Sequence, residues 1–200
     1  MQKFPSPAVG PSDVSPDVVL AVFGTLAAIA VVYALVMAVR LRDVVPVMVC
    51  LGALVCAFNE PIYDILGAIT YASDHAVAYT LMGREIPWFL VVGYVPWVGV
   101  APWILSRRMA GGLTRRDMHL FAVGTFLSVV LVESLGTSLN SWNYSAPMPI
   151  EWLVVAPQMA VCPLLGAALL YALEPWAQGG RRLLMILPPM ISLPATYAAL

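Results

Sequence analysis

The chain alternates between long apolar runs and short polar connections. Six runs reach or approach the length needed to cross a lipid bilayer as a helix, which is about 20 apolar residues. They cover 18–39, 44–68, 87–106, 118–139, 151–173 and 183–200. The pattern predicts an all-α fold, a polytopic membrane bundle of about six transmembrane helices. We expect these helices to form one domain, 18–200.

The first 17 residues differ from this domain in composition. The stretch MQKFPSPAVGPSDVSPD is rich in proline and serine and has no apolar core before Val18. It therefore does not have the pattern of a secretory signal peptide. We expect residues 1–17 to form a flexible tail outside the cytoplasm.

Composition and charge add an orientation to this picture. Hydrophobic residues make up 61% of the 200 residues and charged residues 10%, whereas soluble domains are about 25% charged. The first, third and fifth predicted loops contain Arg40, Arg42, Arg107, Arg108, Arg115, Arg116, Arg181 and Arg182. The tail and the remaining loops contain only Lys3 and Arg84. Because cytoplasmic loops carry the excess of basic residues, we expect an inner or plasma membrane protein with both termini outside the cytoplasm.

Carboxyl groups interrupt two of the apolar runs. In FNEPIYDIL, Glu60 and Asp64 are four residues apart and lie on one helix face. Glu133, Thr137 and Asn140 form a similar stripe in the fourth run. At the rise of an α-helix, Glu60 and Glu133 lie roughly 25 Å and roughly 24 Å from the polar starts of their helices. We therefore expect both glutamates at nearly the same depth.

Other polar and aromatic side chains fall near that depth. Tyr94 and Gln158 lie about 10 Å inside the ends of the third and fifth runs. Tyr94 and Trp97 share a helix face, and aromatic faces stabilise cations. The candidate substrate-binding residues are Asn59, Tyr63, Tyr94, Trp97, Thr137, Asn140, Trp142 and Gln158. The interfacial aromatic belt of membrane proteins also accounts for Trp142 and Tyr144.

Ionisable groups inside a membrane segment are costly and usually functional. Glu60, Glu133 and Asp64 are therefore the candidate catalytic residues. Burial disfavours the charged form of a carboxyl group, and two carboxyl groups in unlike surroundings can act as an acid and a base. Purely structural roles are the alternatives. Glu60 could satisfy backbone groups freed near Pro61, Glu133 could bond to a neighbouring helix, and Asp64 could be exposed to solvent.

No metal or cofactor is expected. His75 and His119 are far apart, and the three cysteines (Cys50, Cys56, Cys162) lie in apolar runs without the paired spacing of a zinc site or a disulfide framework. The sequence has no phosphate-binding glycine loop, no acidic run for a metal-bound diphosphate, and no lysine inside a run for a retinal Schiff base. The expected partners are a hydrophobic small-molecule substrate and membrane lipid, and not nucleic acid.

Two further features involve the loops between the predicted helices and the residues that precede them. The longest loop, 69–86, contains His75 and Arg84 and is either a lid over a cavity or an ordinary solvated loop. Glu60 and Glu133 are each followed by a tyrosine eleven residues later, Tyr71 and Tyr144. This spacing alone is too weak to establish an internal repeat.

The chain resembles the small integral-membrane terpene cyclases of meroterpenoid pathways. The resemblance rests on overall size, on Glu60 in FNEP near the end of an early helix, and on Glu133 in VESLGTSLNSW. It implies a compact helical bundle whose embedded acids protonate an epoxide or alkene without a metal. Small sterol-isomerase-like membrane bundles have the same ingredients and are a related alternative.

These observations favour a metal-independent cyclase or isomerase of an apolar terpenoid-type substrate, which acts by protonation and shields the carbocation with aromatic rings. A proton-coupled carrier or lipophile-binding membrane protein is the alternative, and a structural subunit of a larger complex is a third possibility. A closed site that holds both glutamates favours the enzyme. A continuous polar path to the cytoplasm favours the carrier.

Overall fold

The computed structural model describes residues 10–145 and 157–198, and within those ranges it has six helices and four short strands. The helices are α1 (Pro16–Leu41), α2 (Val45–Leu66), α3 (Trp88–Ala110), α4 (Arg115–Ser138), α5 (Pro157–Leu173) and α6 (Leu187–Ala198), the last preceded by a 3-10 helix, Gly179–Ile186. The strands are β1 (Ile69–Tyr71), β2 (Val77–Leu81), β3 (Arg84–Pro87) and β4 (Trp142–Tyr144).

Local sequence determines where two of the helices begin. α1 begins at Pro16, two residues before the apolar run, because proline fits the first turn of a helix, where its missing N–H has no helical partner. α4 follows Thr114, whose hydroxyl accepts a hydrogen bond from the backbone N–H of Asp117, while the Asp117 carboxylate accepts one from the backbone N–H of Thr114. This reciprocal cap satisfies two backbone donors that the helix cannot satisfy itself.

α2 changes its winding just before the first glutamate. An α-helix, Val45–Cys56, passes through a 3-10 turn, Ala57–Asn59, into a second α-helix, Glu60–Leu66. Pro61 has no N–H, so the carbonyl of Ala57 lacks its usual helical donor. In the 3-10 turn the backbone N–H of Glu60 donates to that carbonyl, and the hydroxyl of Tyr79 donates a second hydrogen bond to it. The carbonyl freed by Pro61 is therefore satisfied without the carboxyl group of Glu60.

α3 contains a widened turn in its middle. Two α-helical parts, Trp88–Tyr94 and Ala101–Ala110, flank a π-helix, Val95–Val100. Pro96 and Pro102 lie in and beside the π-helix, and each removes a backbone donor from the regular pattern. The backbone N–H of Ala101 donates to the carbonyl of Pro96, whereas in a regular α-helix it would donate to the carbonyl of Trp97. Such π-turns within α-helices occur frequently at functional sites.

The helices pack around α2. α2 contacts α1, α3 and α6, whereas α5 contacts α3, α4 and α6. α2 and α3 approach closely at Gly99, where an added Cβ would lie 2.8 Å from the backbone oxygen of Val49. A buried apolar cluster lies between α2, α3, α5 and α6 and contains Ala53, Cys56, Ala57, Tyr63, Tyr94, Val98, Cys162 and Leu193. Tyr94 of this cluster donates a hydrogen bond to Glu60, the glutamate of α2.

Four helices, α1 to α4, are long and apolar enough to cross a membrane by length and composition. In the most apolar stretches of α1 and α4 only 22% of the residues are buried, against 56% in α2 and α3. The exposed apolar faces of α1 and α4 are what lipid contact requires. The six-span bundle is not confirmed, since α5 and α6 are shorter. Residues 151–156 and 199–200 of the last two predicted spans lie outside the described ranges.

The expectation of an all-α fold is wrong in one respect, because the structure also contains two small antiparallel sheets. β1 pairs with β4, and β2 pairs with β3. The β2–β3 hairpin turns at Met82 and Gly83, which have φ angles of 54° and 77°, as a type I′ hairpin turn requires. The predicted loop 69–86 is therefore mostly strand. All four strands lie at one end of the bundle, which we call the strand end.

The described part of the predicted tail is attached to the strand end. The backbone N–H of Ser12 donates to the carboxylate of Asp74, and that of Asp13 donates to the carbonyl of Leu139. The tail therefore is not free between Gly10 and Ser15, and residues 1–9 lie outside the described ranges. The opposite end, which we call the arginine end, has two ion pairs, Arg182–Asp43 and Arg107–Glu174, both at 2.6 Å.

Candidate functional site

Glu60 is buried at the point where α2 resumes its α-helical winding. The hydroxyl of Tyr71, on β1, donates to Glu60 Oε1 at 2.8 Å. The hydroxyl of Tyr94, on α3, donates to Oε2. Two separate elements thus place a phenol on each oxygen of a carboxyl group that has only 4% of its surface exposed.

Asp64 lies one turn further along α2 and is 1% exposed. The alternative that Asp64 is a solvent-exposed residue is therefore wrong. β1 and β3 contact this last turn of α2, and so they exclude water from it. The Tyr71 hydroxyl lies 3.0 Å from Asp64 Oδ1, and the guanidinium of Arg84, also buried, interacts electrostatically with the Asp64 carboxyl group.

Glu133 is the third buried carboxyl group, at 8% exposure. The indole N–H of Trp142 and the hydroxyl of Tyr144 donate to its Oε2 at 2.8 Å and 2.7 Å. Both donors lie on β4, so these hydrogen bonds join Glu133 to a strand and not to a neighbouring helix. The charges of Glu133 and Glu60 interact electrostatically, which agrees with the shared depth expected from the sequence.

An aromatic cluster connects these elements at the strand end. Phe89 of α3 is its centre. The ring of Phe89 stacks on Trp142 with centroids 5.6 Å apart, and it contacts His75 at 4.7 Å, Phe23 at 5.3 Å and Tyr71 at 6.1 Å. Residues from α1, β1, β4 and the loop after β1 thus pack around the ring of Phe89. Two of them, Tyr71 and Trp142, are donors to Glu60 and Glu133.

Three of the predicted substrate-binding residues lie in or against the apolar cluster beneath Glu60. Tyr63 and Tyr94 are buried there, and Trp97 packs against it with its ring 6.1 Å from that of Tyr94 in a T-shaped arrangement. Asn59 and Tyr63 lie beside the thiol of Cys56. We call Tyr63, Tyr94 and Trp97 the apolar floor of the site.

The structure does not place all the predicted residues at the carboxyl groups. The Thr137 hydroxyl donates to the carbonyl of Glu133 in its own helix, at 2.8 Å. Asn140 is exposed, adopts a left-handed backbone conformation with φ of 51°, and donates from its amide to Asp13 at 2.5 Å. Both therefore have local structural roles here. The side chain of Gln158 lies outside the described residues.

Sequence reasoning missed Tyr71, Tyr144, Arg84 and Phe89 as site residues. For the two tyrosines a signal existed, because each lies eleven residues after the glutamate to which it donates. No comparable signal marked Arg84 or Phe89, since both depend on the pairing of strands and helices that are distant in sequence.

Burial acts on the ionisable groups that cover the site. It raises the pKa of Tyr71 well above the usual value for tyrosine, and the charges of Glu60 and Asp64 raise it further. The phenol therefore keeps its proton and remains a donor. Burial lowers the pKa of His75, although its hydrogen bond to the carbonyl of Ser141 and the charge of Asp74 act in the opposite direction.

The described residues include no group of three or more His, Cys, Asp or Glu side chains arranged to hold a metal ion. A cavity of about 190 Å³ lies at the arginine end, between the two ion pairs and Trp103. It is separate from the three carboxyl groups, which lie at the strand end.

Comparison of the chain with protein-family models, with curated proteins and with solved structures finds no match.

Proposed function

We propose that the protein is an integral membrane enzyme, a metal-independent cyclase or isomerase that acts on an apolar terpenoid-type substrate by protonating it. The observation that supports this most directly is the burial of Glu60, Asp64 and Glu133 together at one end of helices apolar enough to cross a membrane. Buried carboxyl groups at such a position are costly and mark a functional site. Proton transfer is the chemistry that carboxyl groups perform in apolar sites.

The surroundings of the two glutamates differ in a way that suits acid–base chemistry. Each oxygen of Glu60 accepts a hydrogen bond from a phenol, whereas Trp142 and Tyr144, the donors to Glu133 among the described residues, both bind Oε2. One glutamate would donate a proton to an alkene or epoxide, and the other would take a proton back when the carbocation is quenched.

The apolar floor supplies the second requirement of a cationic reaction. The rings of Tyr94 and Trp97 form a T-shaped pair with 79° between their planes, and the hydroxyl of Tyr94 donates to Glu60. Aromatic faces stabilise a desolvated cation by up to about 2 kcal/mol each. The substrate would enter from the lipid, since the exposed outer surface of α2 next to the site is apolar, with Phe58, Ile62 and Leu66 at 59%, 45% and 65% exposure.

The test is turnover in heavy water. The protein, reconstituted in lipid nanodiscs, would be offered linear polyprenyl alkenes and prenyl epoxides, and products would be analysed by mass spectrometry for one added deuterium. We expect Glu60→Gln and Glu133→Gln each to lower the rate about 100-fold or more, which is typical for loss of a general acid or base. A chelator should leave the rate unchanged.

Glu85→Gln is the matched control. Glu85 lies on β3 beside Arg84 but is exposed, so its loss should leave turnover intact. A wild-type rate in either buried-glutamate variant would remove that residue from the mechanism. Proton flux across proteoliposomes coupled to movement of a lipophile, without product formation, would favour the carrier instead.

A further inference from the structure

The hydroxyl of Tyr71 lies between two buried carboxyl groups. It is 2.8 Å from Glu60 Oε1 and 3.0 Å from Asp64 Oδ1, and both distances are those of O–H···O hydrogen bonds. A phenol has one proton and can donate only one strong hydrogen bond. The second contact is favourable only if one of the two carboxyl groups carries a proton and donates it to the phenol oxygen.

The charges around the pair lead to the same requirement. Among the described residues, the titratable groups that interact with Glu60 or Asp64 include Tyr71 of β1, Tyr79 of β2, Tyr94 of α3, Arg84 of β3, Glu133 of α4 and Cys56 of α2. Among these Arg84 is the cation. Two buried carboxylates beside one guanidinium leave one negative charge uncompensated, and an uncompensated buried charge is expensive. One proton on the pair makes Glu60, Asp64 and Arg84 neutral together.

We propose that Glu60 and Asp64 share one proton through the hydroxyl of Tyr71, and that Tyr71 relays this proton between them. In one arrangement Asp64 is protonated and donates to the Tyr71 oxygen, while Tyr71 donates to the Glu60 carboxylate. In the other, Glu60 is protonated and donates to the Tyr71 oxygen, while Tyr71 donates to the Asp64 carboxylate. One arrangement becomes the other when two protons move together along these two hydrogen bonds. Atoms and charge are conserved, and no free phenolate forms.

The relay would give Glu60 a supply of protons. This part rests on the proposed function: after Glu60 gives the shared proton to the substrate, both carboxyl groups are ionised. Asp64 would then take up a proton from water at the strand end and pass it to Glu60 through Tyr71. Asp64 interacts with Arg84 of β3 and lies one turn closer than Glu60 to the end of α2 at Leu66. Glu133 has its own pair of donors on β4 and is outside the shared-proton pair.

The shared proton can be detected without a substrate. A protonated carboxyl group has a carbonyl stretch distinct from that of a carboxylate and shifted in heavy water, and infrared spectroscopy of the full chain in nanodiscs at neutral pH measures it. We expect one such band that persists in Glu133→Gln and is lost in the Glu60→Gln/Asp64→Asn double variant. In Tyr71→Phe the band should shift in frequency, because the carboxyl group loses its phenol partner. Tyr33→Phe, on the exposed face of α1, should leave the band unchanged.

The outcomes separate the relay from the proposed function. Absence of the wild-type band, its loss in Glu133→Gln alone, or an unshifted band in Tyr71→Phe would overturn the shared proton, whatever the enzyme does. If turnover is observed, Tyr71→Phe should lower it about tenfold or more. A wild-type rate in that variant would exclude the relay from the reaction while leaving the acid–base function standing. No turnover with any substrate, together with the expected bands, would contradict the proposed function and leave the shared proton intact.

Discussion

A single glycine determines the surroundings of Glu133. Gly136, three residues later on α4, faces the indole of Trp142, and a Cβ added there would lie 1.9 Å from Trp142 Cζ2. The indole fills the space that any other side chain would occupy. The hydrogen bond from Trp142 to Glu133 therefore depends on a residue that makes no polar contact.

Gly136→Ala tests this dependence. We expect the methyl group to displace the indole, to break its hydrogen bond to Glu133, and to lower the free energy of unfolding by about 1–3 kcal/mol, as overpacking does. Thermal unfolding in detergent and the tryptophan emission maximum measure the two effects. Gly124→Ala is the control, because nothing lies within 4 Å of its added Cβ in the same helix. It should be neutral or stabilising by up to about 1 kcal/mol. Equal behaviour of the two variants would contradict the assigned role.

His75 gives the strand end a pH dependence of known sign. Burial lowers its pKa in the folded protein below the ordinary value of 6.5, so just below that pH the unfolded chain binds more protons than the folded one. The free energy of unfolding then falls as the pH falls. The loss stops once the pH is below the pKa of His75 in the folded protein.

The two histidines of the chain form a matched pair for measuring this. His75→Gln should reduce the loss of thermal stability between about pH 7.5 and about pH 5.5, the range in which histidine titrates. His119→Gln is the control variant, since it removes an exposed histidine on α4 and leaves His75 in place. A His75 variant with the full wild-type pH dependence would show that other groups cause it.

The tyrosines show why some site residues could not be chosen from the sequence. Tyr144 near the end of a predicted helix has the same sequence context whether it faces lipid headgroups or a carboxyl group. A place in the interfacial aromatic belt explained Tyr144 equally well. Only the structure distinguishes the two roles, because β4 folds back onto α4 and brings the Tyr144 hydroxyl to Glu133. Glu60 and Glu133, by contrast, could be identified because a carboxyl group inside an apolar run is costly and is rarely found there without a function.

At the scale of elements, the helices were predictable and the strands were not. Long apolar runs predict helices by length alone, and proline and the Thr114 cap refine where they begin. The strands have three to five residues each, which is too short for an alternating pattern to stand out beside apolar helices. β1 and β4 also form only as a pair, between residues far apart in the chain, and such pairing leaves no local signal.

The irregular windings of α2 and α3 were partly predictable. Prolines inside the apolar runs indicate kinks and freed carbonyls, and both helices depart from regular α-helix where prolines occur. The side chain that gives the Ala57 carbonyl a second donor, beside the backbone N–H of Glu60, was not predictable. Tyr79 reaches it from the β2–β3 hairpin, so the hairpin is bound to the same turn of α2 that positions Glu60.

Across the whole molecule, two similar units meet at the strand end. α2 with β1 and α4 with β4 each consist of a helix with a buried glutamate, followed by a strand whose tyrosine donates to that glutamate. β1 and β4 pair antiparallel, with Tyr71 opposite Trp142. The strand pair therefore joins the two glutamates through their donors. The eleven-residue spacing that was too weak to establish a repeat thus corresponds to a real similarity of contacts.

The orientation of this arrangement in a membrane remains a prediction, and it determines which side supplies protons. The basic residues concentrate at the arginine end, where Arg107 and Arg182 form ion pairs. The positive-inside rule therefore predicts a cytoplasmic arginine end and an external strand end. Asp64 and the proposed relay would then lie toward the external side.

Cysteine labelling of intact cells with a membrane-impermeant maleimide tests this orientation. Ser73 is exposed in the loop after β1, and Gly111 is exposed after α3. Gly111 is the better position at the arginine end, because Gly112 has a φ of 89° that strains any other residue, whereas a Cβ at Gly111 meets only ordinary contacts at 3.5 Å. The three native cysteines are all buried and should give little background. We expect Ser73→Cys to react in intact cells and Gly111→Cys to react only after permeabilisation. The reverse result would place the carboxyl groups near the cytoplasm, and the relay would then draw its protons from inside the cell.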